Sequence, residues 1–264
     1  MNSARVAVFT LAIVAACAAA PRAQNPGGAA PPTARAAAPI DLTGYWVAFV
    51  SEDWRLRMVT PPKGDYTRVP LTAEARKVAA SWDPAADDAA GAQCKAFGAG
   101  AIMRLPTRLH VTWEDDTTLR LDTDTGTQTR LFRFTAAGAP PGEAPSWQGA
   151  SRARWEFQSV PRRGDQELVP AGARAARGTG GALTVMTTNL RPGYLRFNGV
   201  PYSENAVVTE HFDLAPHPSG GTVLIVTTIV EDPRYLQRPY VVSSQFKKET
   251  DGSRWDPTPC TSRW

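Results

Sequence analysis

Three groups of residues in this 264-residue chain combine types and spacing that chemistry can use. His110, Thr112 and Glu114 alternate with Leu109, Val111 and Trp113, so in a strand the polar three share one face. If that face lines a polar barrel mouth, His110 and Glu114 make an acid–base pair in which the carboxylate raises the imidazole's proton affinity; on an outer face the same residues are a solvated stripe. Glu210 and His211 are neighbours and leave opposite faces of their strand. Val208, Glu210, Phe212 and Leu214 form the more apolar set, so Glu210 is expected to point inward, where a carboxylate must be paired or protonated. Arg104, Arg130 or Arg191 can supply the opposite charge. The third group lies where Thr187 to Tyr194 ends a strand and opens a loop, with Tyr202 close behind. Asn189, Arg191, Tyr194 and Tyr202 can bind a carboxylate, phenol or sugar hydroxyl there, or can satisfy the strand end itself. His110, Glu114 and Glu210 are thus the catalytic candidates, and Arg104, Asn189, Arg191, Tyr194, Tyr202 and Glu210 the ligand-binding candidates.

Other chemistries lack their residues. The chain has no Gly-x-Ser-x-Gly elbow, no phosphate-cradling Gly-x-x-x-x-Gly-Lys loop, no His-Glu-x-x-His and no Cys-x-x-Cys. Asp83, Asp87 and Asp88 lack the spacing of a calcium loop. Three His and three Cys leave little for a metal cage, and neither a metal nor a cofactor is expected. The net charge of +4 falls to +2 once Arg5 and Arg22 of a leader are set aside, which carries no nucleic-acid signature.

These residues need elements to hold them. Short β-branched and aromatic runs predict strands at Tyr45 to Val50, Ala101 to Leu105, Leu109 to Trp113, Thr118 to Asp122, Thr127 to Phe134, Ala153 to Phe157, Leu183 to Asn189, Val207 to Leu214, Thr222 to Val230 and Tyr240 to Lys247. Asp115-Asp116, Asp124-Thr125-Gly126 and Ser219-Gly220-Gly221 join neighbouring runs closely enough for hairpins, which predicts an antiparallel meander. Thr72 caps a helix whose Ala75, Val78, Ala79 and Trp82 share a face, and Asp83 with Pro84 starts a second. Ala136 to Ser146 and Gln158 to Gly181 read as loops, the latter carrying an Arg163-Gly164-Asp165 tripeptide expected by chance in such composition. So many strands in one domain need two packed sheets or closure, and closure is the expectation.

The first 23 residues read as a signal peptide: Arg5, then an uncharged run from Val6 to Ala20 shorter than a bilayer span, then small residues. Val14-Ala15-Ala16-Cys17 also has the form of a bacterial lipobox, competing with cleavage after Ala23, and membrane contact is expected only through a lipid at Cys17. Residues 24–40, nearly all Ala, Pro, Gly and Thr, read as a tether, and 41–264 as the folded domain. Export to the periplasm or beyond leaves Cys94 and Cys260 as an even pair in an oxidising compartment, so a disulfide between them is expected.

Leu42-Thr43-Gly44-Tyr45-Trp46 resembles the Gly-x-Trp of lipocalin-like proteins, where a Trp on the first strand closes one end of the barrel. Trp54 to Tyr66, Ile102-Met103-Arg104-Leu105-Pro106, Val230-Glu231-Asp232-Pro233-Arg234-Tyr235 and Trp255-Asp256-Pro257-Thr258-Pro259-Cys260 resemble an uncharacterised family of exported bacterial proteins with a lipocalin-like β-barrel. The resemblance implies a mainly β, antiparallel lipocalin-like (calycin-type) barrel with one or two short helices, and an exported location; it carries no catalytic residues. Three functions fit it: binding a small apolar or amphipathic molecule, acid–base catalysis of isomerase, hydratase or lyase type on the same barrel, or an interaction role in the envelope with a filled interior. Whether an open cavity exists, and what faces it, separates them.

Overall fold

In a computed structural model, which describes residues 31–135, 143–159, 177–217 and 220–263, nine strands close into a barrel. The strands in chain order are β1 (Gly44–Phe49), β2 (Arg108–Trp113), β3 (Thr118–Thr123), β4 (Gln128–Arg133), β5 (Ala150–Ser159), β6 (Arg177–Thr188), β7 (Gly193–Arg196), β8 (Val200–Tyr202), β9 (Val207–Pro216), β10 (Thr222–Glu231) and β11 (Tyr240–Lys248). Around the barrel the order is β1-β11-β10-β9-β6-β5-β4-β3-β2, while β7 and β8 form a separate hairpin. β1 closes the ring because its Trp46 pairs with Lys248 on one side and Leu109 on the other.

Local chemistry accounts for most of these elements. At the β2–β3 turn the Asp115 carboxylate accepts from the Thr117 N–H at 2.6 Å and its hydroxyl at 2.9 Å, tying the turn shut. Between β3 and β4, Gly126 sits at φ +78° and a Cβ there would meet the Phe97 ring at 2.2 Å, so only glycine fits. Side chains alternate as a one-sided barrel requires: Leu119, Leu121 and Thr123 are buried along β3, and Val208, Glu210 and Phe212 along β9.

Three short helices lie outside the ring: α1 (Trp54–Arg57), α2 (Ala73–Ala80) and α3 (Pro84–Ala89). The Thr72 hydroxyl accepts from the Ala75 N–H at 3.1 Å, and the Asp83 carboxylate from the Ala85 N–H at 3.0 Å, which are the caps expected from sequence. Among the described residues no helix is long and apolar enough to cross a membrane.

Several expectations change. The run Ala101 to Leu105 is not a strand but holds a 3₁₀ turn at Ile102–Arg104, anchored by Ala101 and Ile102 N–H groups on the Gly98 carbonyl at 2.9 Å. All five residues are buried, and an apolar run without alternation does not distinguish a strand from a buried turn. The meander is not wholly antiparallel, since β4 and β5 pair in parallel at Phe132↔Ser151 and Arg133↔Arg152. The connection after β4 is long enough to carry the chain back before β5 starts, as a parallel pair requires. β7 and β8 are strands that no sequence run predicts, β7 starting where Thr187 to Tyr194 is expected to open a loop, and β5 and β6 extend into the Gln158 to Gly181 segment. Arg163-Gly164-Asp165, Cys17 and the leader lie outside the described residues.

The described residues from Pro32 onward form one compact unit, and two apolar clusters are found among them. Trp46, Leu109, Leu119, Phe132, Phe212 and Phe246 belong to the one that fills the ring, while Leu71, Ala75, Leu195, Tyr202, Tyr235 and Tyr240 belong to the second, which joins α2 and the β7–β8 hairpin to the strand ends. Part of the segment read as a tether lies on the barrel. The Arg35 N–H donates to the Asp116 carbonyl at 3.0 Å, and the Trp155 indole N–H to the Ala34 carbonyl at 2.7 Å.

Cys94 and Cys260 are joined, with an S–S distance of 2.02 Å and Cα atoms 5.1 Å apart. The bond straps the C-terminal segment across the β3–β4 turn, where the Thr258 N–H also donates to the Asp124 carbonyl at 2.9 Å. Because the closed loop spans 166 residues of sequence, reduction is expected to lower stability by roughly 2–5 kcal/mol in the chain-entropy picture. Thermal unfolding with and without reductant, alongside a Cys94→Ser/Cys260→Ser double variant, measures this; coincident melting curves would show that the strap's hydrogen bonds suffice without the bond.

Candidate functional site

The structure scatters the acid–base candidates. His110 lies on the outer face of β2, its ring stacked on Tyr45 at 4.1 Å and meeting Trp255 edge-on at 6.0 Å. Glu114 is exposed beyond the end of β2 and pairs with Arg120 at 3.3 Å. Glu210 points inward as its strand pattern requires and is fully buried. Its two oxygens accept from Arg130 Nη1 at 2.9 Å and Nη2 at 2.6 Å, a forked pair across the barrel interior. Arg130 Nη2 also reaches the Thr187 hydroxyl at 3.2 Å, which contacts the Ser151 hydroxyl at 2.8 Å. Arg130, rather than Arg104 or Arg191, is therefore the counter-charge, and Glu210 sits within the packed core instead of at a polar mouth.

The candidate ligand-binding residues do not converge either. The Asn189 amide donates to the Glu143 carbonyl at 2.9 Å, with Asn189 itself at φ +56°. Exposed Arg191 stacks its guanidinium 4.3 Å from the Trp147 ring. The Tyr194 hydroxyl donates to Asp87 at 2.9 Å, and burial together with that carboxylate pushes its pKa up. Tyr202 is fully buried, packed so closely against Gly98 and Gly193 that a Cβ on either would strike its hydroxyl oxygen. Desolvation raises the Tyr202 pKa despite the nearby Arg130 charge.

Arg104 lines an accessible cleft. The cleft, of about 200 Å³, is lined by Glu52, Asp53, Arg68, Arg104, Arg196 and Tyr240, together with Val241, Val242 and Ser243 of β11. Arg57 of α1 lies behind it and donates from Nε to the Arg104 carbonyl at 2.8 Å. Burial first, then the charge of Arg104, pushes the Arg57 pKa down to about 10, while Glu52, Asp53 and Tyr240 act in the opposite direction.

Arg57, Arg104 and Arg196 are each more than nine-tenths buried. Yet Arg57 Nη1 and Nη2, Arg104 Nη2, Arg196 Nε and Nη1, and the Tyr240 hydroxyl have no hydrogen-bond partner among the described residues. Among the described residues, the ion pair these donors make within 4 Å is Arg104 Nη2 to Asp53 at 3.5 Å, and Asp53 also pairs with Arg68. A buried donor without a partner costs about 1–3 kcal/mol, more when charged, so concentrating several around one cleft is expensive unless something else accepts from them. Backbone conformation marks the same place: of the four described non-glycine residues with positive φ, Asp53 (+49°) and Arg68 (+67°) line this cleft.

Local structure explains how arginines come to be buried here. Leu56-Arg57-Met58, Met103-Arg104-Leu105 and Leu195-Arg196-Phe197 each set an arginine between large apolar residues. Arg120 and Arg133 have similar neighbours, but on alternating strands that turn them outward. Arg57 sits on a single helical turn and Arg104 on a 3₁₀ turn, where that alternation is lost. Arg196 follows a register shift between Tyr194 and Arg196, and both Leu195 and Arg196 become buried. Sequence reasoning singled out Arg104 but missed Arg57, Arg196, Asp53, Arg68 and Tyr240; an arginine between large apolar residues outside an alternating run is the signal that finds the two missed buried ones.

Comparison with models of known families, with curated proteins and with solved structures returns no significant match to this chain.

Proposed function

We propose that this protein is an exported small-molecule-binding protein whose ligand carries an anionic group seated in the arginine cleft. The single observation behind this reading is the set of unpartnered guanidinium nitrogens on buried Arg57, Arg104 and Arg196. Arginine forks match carboxylate and phosphate oxygens in geometry as well as charge, so an anion offsets both the missing hydrogen bonds and the excess charge. The ring interior is packed with Trp46, Phe132, Phe212 and Phe246, which argues for a ligand at the barrel's end and for the amphipathic form of the expected ligand over the purely apolar one. An acid–base enzyme has less support, because His110 and Glu114 face outward and Glu210 is held in an ion pair. Export itself rests on the leader and agrees with the disulfide; lipidation at Cys17 stays with the lipobox pattern alone.

Calorimetric titration with inorganic phosphate and with small carboxylates tests the reading, with thermal unfolding as a second readout. A binding anion at one hundred times its Kd should stabilise the fold by about 2.7 kcal/mol. Arg196→Gln should abolish that gain while leaving the ligand-free protein at least as stable, because a residue kept for binding carries an uncompensated cost in the empty state. If no anion binds, or if Arg196→Gln unfolds the ligand-free protein, the arginines are structural and the reading fails.

A further inference from the structure

We infer that the cleft takes the dianionic phosphomonoester head of an alkyl amphiphile, with the chain lying over the apolar surface beside it. This deepens the anion-binding reading above and rests on it. The charges around the cleft do not balance. Arg68, Arg104 and Arg196 line it with Glu52 and Asp53, and Asp53 is already shared between Arg68 and Arg104. That leaves one positive charge over, and Arg57, bonded to the Arg104 carbonyl just behind the lining, adds a second. A carboxylate would neutralise one of them; a phosphomonoester, with a second pKa near 6, neutralises both at neutral pH.

The donors point the same way. Three guanidinium nitrogens and the Tyr240 hydroxyl on residues that line the cleft, and two more nitrogens on Arg57 behind it, lack acceptors among the described residues. A carboxylate offers two oxygens, whereas the three terminal oxygens of a phosphomonoester can accept from several guanidinium forks at once.

Size and surroundings then say what the head is attached to. At about 200 Å³ the cleft is smaller than the roughly 300–1,000 Å³ that holds a whole drug-sized ligand, so the remainder of the molecule lies outside it. What lies outside is apolar. Of the seven large apolar side chains exposed among the described residues, Val241 (57% exposed) lines the cleft, and Trp54 (66%), Met58 and Val59 belong to α1 or follow it directly. Trp54 and Met58 are four residues apart and so share the solvent face of the helix whose other side buries Leu56 and Arg57. The short element therefore sets an apolar outer face beside the end of the cleft that its N-cap Asp53 lines, with Arg57 buried beneath it.

The test compares methyl phosphate, octyl phosphate and octanoate by calorimetry at pH 8, below the micelle-forming concentration, on the mature protein with its disulfide intact. Octyl phosphate should bind at least tenfold more tightly than methyl phosphate, the gain expected once two or more methylenes leave water. It should also bind at least tenfold more tightly than octanoate. Trp54→Ser/Met58→Ser, both at exposed positions, should erase most of the octyl advantage and leave methyl phosphate binding unchanged. Equal affinity for methyl and octyl phosphate would overturn the amphiphile while leaving the anion reading intact, and equal affinity for octanoate and octyl phosphate would overturn the dianion. Binding of none of the three would instead bring down the anion reading itself. Co-sedimentation with phosphatidylcholine vesicles, with and without phosphatidic acid, separates the sources: capture only by the phosphatidic-acid vesicles identifies a membrane-borne head, and retention in solution alongside octyl phosphate binding identifies a free amphiphile.

Discussion

Glu210→Gln is expected to destabilise the fold by roughly 3–5 kcal/mol, because it removes one half of a buried ion pair and leaves the other charged. The substitution is nearly isosteric, so packing around Phe132 and Phe212 is preserved and the loss reports charge. Arg130 then keeps only the Thr187 hydroxyl and an amide oxygen as acceptors in a place with no exposure to solvent. Replacing both partners tells a different story. Arg130→Met/Glu210→Leu should recover most of the loss, since an apolar pair of similar volume needs no desolvation of charge. Denaturant unfolding of the single and double variants measures both, and a loss below about 1 kcal/mol for Glu210→Gln would mean the pair contributes no more than an exposed one. The fork to Arg130 makes Glu210 a structural partner, so the loss is expected in folding rather than in ligand selectivity.

Trp46→Ala should cost a similar roughly 3–5 kcal/mol through a different mechanism, a cavity left by a large ring. Trp46 is 1% exposed, donates its indole N–H to the Leu42 carbonyl at 2.9 Å, and carries the Lys248 ammonium 4.3 Å above its ring. Lys248 also donates to the Thr43 carbonyl, so the ring, the chain entering β1 and the end of β11 are tied together where the barrel closes. Desolvation already lowers the Lys248 pKa, and losing the ring removes the ammonium's aromatic partner as well as the packing. For a domain of this size the loss corresponds to a fall in Tm on the order of 10 °C. Trp46→Phe should recover most of it, lacking chiefly the indole hydrogen bond. A Trp46→Ala protein that melts with the wild type would show that Trp46 does not close the barrel.

The nature of the barrel was legible in the chain because alternation is a local property. Nine of the ten runs that read as strands are barrel strands, and Asp115, Gly126, Thr72 and Asp83 act within a few residues of their own positions as turn and cap residues should. Glu210 facing inward follows from the same two-residue period. The pairing of Cys94 with Cys260 was accessible for another reason, since excluding Cys17 leaves one combination.

What the chain alone did not determine depends on distance in sequence. Three arginines could neutralise Glu210, and only the strand order β4-β5-β6-β9 decides that Arg130, 80 residues away, reaches it. The cleft is assembled from the N-cap of α1 and the residue before it, Arg68, the 3₁₀ turn at Ile102–Arg104, the β7–β8 hairpin and the start of β11, spread from residue 52 to residue 243. Two of them were invisible to pattern reading, a four-residue helix and a bulged strand, because neither is long enough to show a period. Whether Arg57, Arg104 and Arg196 are solvated or buried without partners is a property of what packs against them. Residue type supplies their charge; tertiary structure alone brings those charges to one place and leaves five of their guanidinium nitrogens without an acceptor among the described residues.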